Sequence, residues 1–197
     1  MNSRIFPQAA LLGLVLVGCN KPYAGLKRDV PQTVPSGWAK SDLKGVNYSF
    51  CTPKTLKPQL APPEVLASAT QGVKGGEALK SLVICTSTNV PPDMVAVFEE
   101  AELKTNGELK DFMTGFKNSL VKQGILTTAA TETVEKTPIG DATVVKSAGK
   151  IAGQASQTTI YVWADKSSVF SMMVSGIGKD PDDTAKKIAE TFRVAGS

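Results

Sequence analysis

Apolar and polar residues alternate along much of the chain, and this two-residue period predicts half-buried β-strands. The predicted strands cover residues 45–50, 78–86, 94–103, 125–135, 142–152, 157–164 and 168–175. Asp165-Lys166-Ser167 separates the last two and predicts a hairpin turn. The second half of the chain is therefore expected to form a run of antiparallel strands.

Two segments repeat their apolar residues every three to four positions, which predicts amphipathic helices over 108–123 and 181–192. Gly124 follows the first at the usual position of a terminating glycine. Asp180 and Pro181 open the second as a cap and a first helical residue. The apolar stripes are Leu109, Phe112, Met113, Phe116 and Leu120 in the first helix and Ala185, Ile188, Ala189 and Phe192 in the second.

The order of strands, helix, four strands and helix predicts an α+β sandwich, in which helices pack against an antiparallel sheet. One domain over residues 38–197 accommodates all of these elements. Residues 52–76 hold four prolines and three glycines. They are expected to form a long surface loop with a helical turn at 64–69.

The N-terminus has a different character, because one basic residue is followed by nine uninterrupted apolar residues, Ala9 to Val17. A bilayer-spanning helix needs about 20 apolar residues, so this run is too short to span. A basic start, a short apolar run and then small residues are typical of a secretory signal. A buried element of the folded domain is the alternative.

The run ends in Leu16-Val17-Gly18-Cys19, which resembles the lipobox of bacterial lipoproteins. The resemblance implies a signal peptide over 1–18, acylation of Cys19 and attachment to a membrane through its acyl chains. It also implies a position in the cell envelope, facing the periplasm or the exterior. In Gram-negative lipoproteins an Asp after the cysteine favours retention in the inner membrane, and Asn20 does not clearly do so, so the resemblance implies the outer rather than the inner membrane for a Gram-negative source. Residues 19–37, with several prolines and glycines, are expected to be a flexible tether.

Export to an oxidising compartment makes Cys51 and Cys85 candidates for a disulfide bond. Closing this loop of about 35 residues would stabilise the fold by roughly 3–4 kcal/mol. The alternative is two separately buried thiols, and the geometry of the two side chains decides between them.

Most catalytic and metal-binding chemistry finds no support in the sequence. The chain has no histidine, which excludes Ser-His-Asp and Cys-His catalysis. Its net charge of +4 is dispersed, which does not favour nucleic-acid binding. Glu99 and Glu100 should point to opposite faces of a strand. Asp180, Asp182 and Asp183 fit helix capping better than a calcium loop. No cofactor and no metal are expected.

Several segments together resemble the PsbP-like domain. They are the strand GVNYSFCTP, the helix after the third strand, the turn PIGDATVVKSAG, and the closing segments YVWADKSSVFSMMVSG and DDTAKKIAETFRV. This domain occurs in extrinsic photosystem II proteins, in a nuclear-transport factor that binds a small GTPase and in many bacterial lipoproteins. The resemblance covers residues 38–194 and implies an α/β/α sandwich that binds or assembles proteins rather than an enzyme.

Four residues are candidates for a groove or a partner-binding face: Tyr161 and Trp163, on one side of a strand, and Lys186 and Lys187, on the last helix. Burial in the core is the alternative for the two aromatic rings, and a solvated face is the alternative for the lysines. The leading hypothesis is a non-enzymatic, lipid-anchored envelope protein that binds a protein partner. A small-ligand or lipid-binding protein, with a groove between sheet and helices, is the second hypothesis.

Overall fold

The computed structural model describes residues 25–66, 79–102, 108–165 and 168–195. Its centre is a seven-stranded sheet in which every pair of neighbouring strands is antiparallel. Helices lie against both faces of this sheet, so the predicted α+β sandwich is confirmed. The predicted signal peptide, Cys19 and the glycine-rich stretch 72–76 lie outside the described residues.

The strands are β1 (Trp38–Lys40), β2 (Tyr48–Ser49), β3 (Cys51–Pro53), β4 (Leu56–Leu60), β5 (Leu79–Ser87), β6 (Met94–Glu102), β7 (Thr131–Thr137), β8 (Gly140–Ile151), β9 (Gln154–Ala164), β10 (Ser168–Ile177) and β11 (Arg193–Val194). The large sheet has the order β4-β5-β6-β10-β9-β8-β7. Two short pairs, β1 with β3 and β2 with β11, lie outside it. The hairpins predicted between consecutive strands account for most of this order.

The two predicted helices are present as α1 (Glu108–Lys122) and α2 (Asp182–Thr191). Gly124 has φ +73°, the left-handed backbone that ends a helix and that glycine adopts without strain. Asp180 accepts a hydrogen bond from the backbone N–H of Asp182 at 2.9 Å. No helix among the described residues is long and apolar enough to cross a bilayer.

Alternation along the strands divides the core into two layers, which is clearest on β9. Tyr161 and Trp163 point to the face covered by α2, which we call the α2 face. Ile160 and Val162 point to the face covered by α1, the α1 face. The α2 face also holds Phe50, Phe98, Phe170, Met172, Ile188 and Phe192, and the α1 face also holds Met113, Leu120, Val145 and Val169.

Two expectations about element boundaries are wrong in part. Residues 52–76 are not one long loop, because β4 lies within them and pairs with β5 from Leu56 to Leu60. Residues 125–130 are not a strand. The backbone N–H groups of Ile125 and Leu126 instead bond to the carbonyl of Leu120, which keeps these residues at the end of α1. The strand begins at Thr131.

The domain does not begin at Trp38, because residues 25–37 pack against it. Leu26 is buried in the α2-face core, and the N–H of Lys27 donates to the carbonyl of Ile139 at 2.8 Å. The Arg28 guanidinium forms an ion pair with Asp165. The amide of Gln32 donates to the carbonyl of Thr191 at 2.7 Å. We call residues 25–37 the N-terminal arm. This part of the expected tether is packed on the domain, whereas residues 19–24 of it lie outside the described residues.

Candidate functional site

The structure buries both candidate aromatic rings and exposes both candidate lysines. Trp163 is fully buried, stacks on Phe192 with a centroid distance of 4.7 Å, and cannot form a partner face. The ring of Tyr161 is also buried, 5.7 Å from that of Trp163. The core alternative is therefore correct for these two rings, whereas Lys186 and Lys187 are exposed on α2.

The hydroxyl of Tyr161 nevertheless reaches a small cleft between α2 and β7. The cleft has a volume of about 40 Å³, enough for one or two water molecules. The residues that line it include Glu135, Thr137, Tyr161, Lys186, Ala189 and Glu190. Two of the four candidate residues, Tyr161 and Lys186, are thus brought together, and we call this place the α2–β7 cleft.

The buried aromatic residues are held by the strand at the wall of this cleft. The Tyr161 hydroxyl donates to Glu135 Oε2 at 3.0 Å, and Trp163 Nε1 donates to Thr137 Oγ1 at 3.0 Å. Burial, and then the hydrogen bond to Glu135 and its charge, raise the pKa of Tyr161 well above its usual value. At neutral pH this phenol is therefore a neutral hydrogen-bond donor and not a proton acceptor.

Neither candidate lysine forms an ion pair within the part of the chain that the structure describes. Lys186 and Lys187 lie among Asp183 and Glu190 on the exposed side of α2. This patch, which we call the α2 surface, carries two cationic and two anionic side chains. It is a polar, mixed-charge surface rather than a strongly basic one.

A second and larger cavity lies where α2 begins. It is open, has a volume of about 290 Å³ and is lined mainly by polar side chains from β8 and β9. Lys146 Nζ lies 2.6 Å from Asp182 Oδ2, and the Thr159 hydroxyl donates to the same carboxylate. Burial opposes ionisation of Asp182, but the hydrogen bonds from Lys146 and Thr159 outweigh it and lower its pKa.

Asp182 therefore binds a protein cation, and this agrees with a structural role for the acidic residues at the start of α2. Among the described residues, no group of three or more cysteine, aspartate or glutamate side chains could hold a metal ion. Glu99 and Glu100 point to opposite faces, as their neighbouring positions on β6 predict. Glu99 accepts a hydrogen bond from Ser171 on the α1 face, and Glu100 accepts one from Asn47.

The predicted disulfide is wrong for this structure, in which Cys51 and Cys85 are both free and buried. Cys85 lies in the α2-face core. Cys51 directly follows Phe50, which belongs to that core, so the Cys51 side chain points away from it. Burial raises the pKa of Cys85 to about 12 and also raises that of Cys51. Both thiols are therefore protonated, and correspondingly unreactive, at neutral pH.

The sequence did not single out Glu135, Thr137 and Glu190, which complete the α2–β7 cleft. Glu135 and Thr137 could have been found from the register in which the consecutive hairpins pair. Tyr161 pairs with Val144, which pairs with Thr133. The next residues on the same face of β7 are Glu135 and Thr137, so their approach to Tyr161 and Trp163 depends on the order β7-β8-β9.

Comparison with protein-family models and with curated protein sequences gives no match. Among solved structures, a crystal structure from Bacteroides thetaiotaomicron is similar to 82% of this chain, with 10% sequence identity and a TM-score of 0.52. The match covers 50% of that chain, so this chain spans about half the length of its structural neighbour. At this identity the likeness shows the fold alone.

A second structure is that of LpqN, described as involved in cell envelope biogenesis of Mycobacterium tuberculosis. It has 12% identity and a TM-score of 0.40, over 87% of this chain and 86% of that one. A TM-score this low carries no argument about function. The comparisons therefore support the architecture described above and assign the chain to no family.

Proposed function

We propose that this chain is a lipid-anchored cell-envelope protein whose domain acts by binding another protein and not by catalysis. One observation carries the proposal. Packed side chains cover both faces of the sheet, while the exposed α2 surface offers four charged side chains next to the α2–β7 cleft. A partner would therefore be recognised on the outside of the domain.

The anchor in this proposal is Cys19, carrying acyl chains after removal of residues 1–18. Its support is the sequence Leu16-Val17-Gly18-Cys19 behind a short apolar run. Two or three acyl chains on one residue would make membrane attachment effectively permanent. The domain would then face the periplasm or the exterior, at the outer membrane of a Gram-negative source.

The cavities support a protein partner better than a lipid or another small ligand. Ligand pockets usually measure about 300–1,000 Å³ and are mostly apolar. The α2–β7 cleft has about 40 Å³, and the larger cavity is open and lined by groups such as Lys146 and Asp182. An acyl chain would leave these polar groups without hydrogen-bond partners.

The α2 surface has the chemistry of the polar rim of a protein interface. Charged groups at a rim steer encounter and fix the orientation of a partner more than they add affinity. The alternation of Asp183, Lys186, Lys187 and Glu190 suits a partner surface with a complementary pattern of both signs. A uniformly anionic partner such as a nucleic acid would meet Asp183 and Glu190 as well as the lysines.

A photo-crosslinking residue at Lys187 tests the partner-binding part of the proposal. The full chain, with Cys19 intact, is expressed in its host and irradiated in membranes. We expect a specific protein adduct from position 187 and none from the matched control position Lys57, which is exposed on β4 at the far edge of the sheet. Absence of any adduct specific to position 187 would overturn the proposal.

The anchor is tested separately by the substitution Cys19→Ala. We expect the variant to lack acyl groups in mass spectrometry and to leave the membrane fraction after a carbonate wash. A variant that lacks acyl groups and still stays fully with the membrane would contradict the lipoprotein assignment, whatever the crosslinking experiment gives.

A further inference from the structure

The two outer strands of the large sheet differ in how well they resist pairing with another strand. Strand β4 contains Pro58, which has no backbone N–H, and proline is a common way to block an outer edge. Strand β7 has seven residues without proline or glycine and pairs with β8 over its full length without a register shift. Among the described strands, β7 has no partner on its other side.

The side chains of β7 combine an exposed apolar residue with charged neighbours of both signs. Val134 lies at the middle of the strand and is 70% exposed. It lies on the same face as Glu132 and Lys136, two residues to either side. This face is the α1 face, because Glu132 forms an ion pair with Lys117 of α1 at 2.6 Å. An exposed valine is thus flanked by one anionic and one cationic side chain.

The sequence of β7, TETVEKT, is complementary to itself when two copies run antiparallel about Val134. Val134 then lies opposite Val134 of the second copy, and each Glu132 lies opposite a Lys136. On the other face Thr131 lies opposite Thr137, and Thr133 lies opposite Glu135. Opposite charges and β-branched pairs at directly facing positions stabilise antiparallel strands.

Neighbouring registers lose this complementarity. Moving the two-fold axis by one residue to Glu135 places Glu135 opposite Glu135, and like charges at facing positions are destabilising. Moving it by one residue to Thr133 places Val134 opposite Glu132 and leaves Lys136 without a glutamate. The sequence therefore favours one register, and a two-fold symmetric interface of this kind closes at two copies.

We infer that the outer edge of β7 is a docking site for a second copy of this chain, which joins two seven-stranded sheets through an antiparallel β7–β7 pair centred on Val134. The inference goes beyond the proposed function, because it concerns the edge of the sheet and a second copy of this chain, and not the α2 surface and another protein.

Cysteine crosslinking tests the predicted register in the full chain. In the pair, the two Val134 side chains have Cβ atoms about 4.5–5.5 Å apart, so a movement of about 1 Å brings them within the about 3.5–4.5 Å that a disulfide spans. We expect Val134→Cys to crosslink to itself under mild oxidation in membranes about tenfold faster than Val90→Cys, because residue 134 meets its copy at a high effective concentration. Val90 is the matched control, since it is 97% exposed and lies on the turn between β5 and β6.

Two outcomes would overturn the inference. One is a crosslinking rate of Val134→Cys no greater than that of Val90→Cys. The other is a crosslink from residue 134 to a different protein, which would assign the edge to that protein. The native Cys51 and Cys85 are buried and should contribute little to either rate.

A charge exchange gives an independent test. Lys136→Glu leaves the Lys117–Glu132 ion pair intact and places glutamate opposite glutamate twice in the dimer. We expect it to weaken self-association about tenfold, measured by sedimentation of the full chain in detergent. The double variant E132K/K136E should restore association, although it loses the ion pair to Lys117. Equal association of all three proteins would contradict the inference.

Discussion

The α2 face of the sheet is packed by aromatic rings, whereas the α1 face is packed by aliphatic side chains, hydroxyl groups and a close backbone contact. On the α2 face, Phe50 stacks on Phe98 with centroids 3.7 Å apart, and Trp163 stacks on Phe192. These rings bury a large apolar area on rigid side chains. They join the central strands β6 and β9 to the segment between β2 and β3 and to the C-terminal end of α2.

On the α1 face the backbone itself comes close to the sheet. A Cβ atom at Gly149 would lie 2.0 Å from the carbonyl oxygen of Ile125, in the segment that follows α1. The N–H of Lys150 donates to the carbonyl of Gly124 at 2.8 Å. The hydroxyls of Thr158 and Ser175 bond to each other at 2.8 Å within the same layer. This face therefore depends on backbone proximity and polar pairing as much as on apolar volume.

The comparison teaches how adjacent residues of one strand come to have different environments. Glu99 and Glu100 differ only in the face to which they point. Burial raises the pKa of Glu99, and a hydrogen bond from Ser171 opposes this shift. Glu100 is almost fully buried and receives the amide of Asn47 at 3.3 Å. Each of these two β6 carboxylates thus accepts a hydrogen bond from a neutral donor.

The largest effect is expected from removing the central ring of the α2 face. Trp163→Ala should lower the free energy of unfolding by about 3–5 kcal/mol, since it removes a fully buried side chain and leaves a cavity. Ile160→Val, on the α1 face of the same strand, should cost about 0.5–1.5 kcal/mol. Urea unfolding of both variants checks the comparison, and a smaller loss for Trp163→Ala would reverse the ranking.

The close contact on the α1 face is tested by Gly149→Ala. A methyl group there meets a backbone carbonyl, so the segment after α1 must shift, and we expect a loss of about 1–3 kcal/mol. Gly115→Ala is the matched control, because a Cβ at this position on α1 has no atom within 4 Å. That control should stabilise the protein by about 0.5–1 kcal/mol, as alanine does in a helix. Equal thermal shifts for the two variants would exclude a special contact at Gly149.

A smaller effect is expected where the α2 face meets the α2–β7 cleft. Tyr161→Phe removes the hydrogen bond to Glu135 and should cost about 0.5–1.5 kcal/mol. The double variant with Glu135→Gln measures how much of that cost belongs to the charged acceptor. If Tyr161→Phe costs as much in the Glu135→Gln background as beside the carboxylate, the charge of Glu135 has no part in it.

The smallest effect concerns the pH dependence of the α1 face. The pKa of Glu99 is higher in the folded than in the unfolded protein, so the folded protein binds more protons between these two values. Its free energy of unfolding should fall as pH rises through that window. Glu99→Gln should remove this fall. The stability of the variant relative to the unsubstituted protein should therefore be higher at pH 7 than at pH 4, as measured by thermal unfolding. Glu102→Gln, which removes a carboxylate from an exposed site on the same strand, is the control.

The sequence predicts the parts of this fold that have a clear period. Both helices and the β8-β9-β10 hairpins follow from apolar spacing, and Tyr161 with Trp163 was correctly placed opposite Ile160 with Val162. The N-terminal arm could not be found in this way. Leu26 is one apolar residue in a stretch rich in proline, and its burial depends on partners more than 100 residues away, such as Ile139 and Asp165.

The site was predictable only in part, for a similar reason. Lys186 was assigned to the last helix with a solvated face as one of its two alternatives, and it is exposed in the structure. The approach of Glu135 to Tyr161 requires the spatial order of three strands, which sequence spacing alone does not fix. The disulfide prediction failed because compartment and spacing do not tell which way a side chain points. Cys51 and Cys85 have different surroundings on different strand pairs.

If Cys19 carries the lipid, the docked N-terminal arm limits the distance between the domain and the bilayer. Leu26 follows Cys19 by seven residues, and this span is at most about 25 Å. A single domain could rotate about this one short attachment. In the β7–β7 dimer the two arms would lie at opposite ends of the strand pair, because they dock beside Ile139, just past the end of β7. Because the dimer would be attached to the membrane at both ends of the β7–β7 pair, the strands of the joined sheet would lie parallel to the membrane plane.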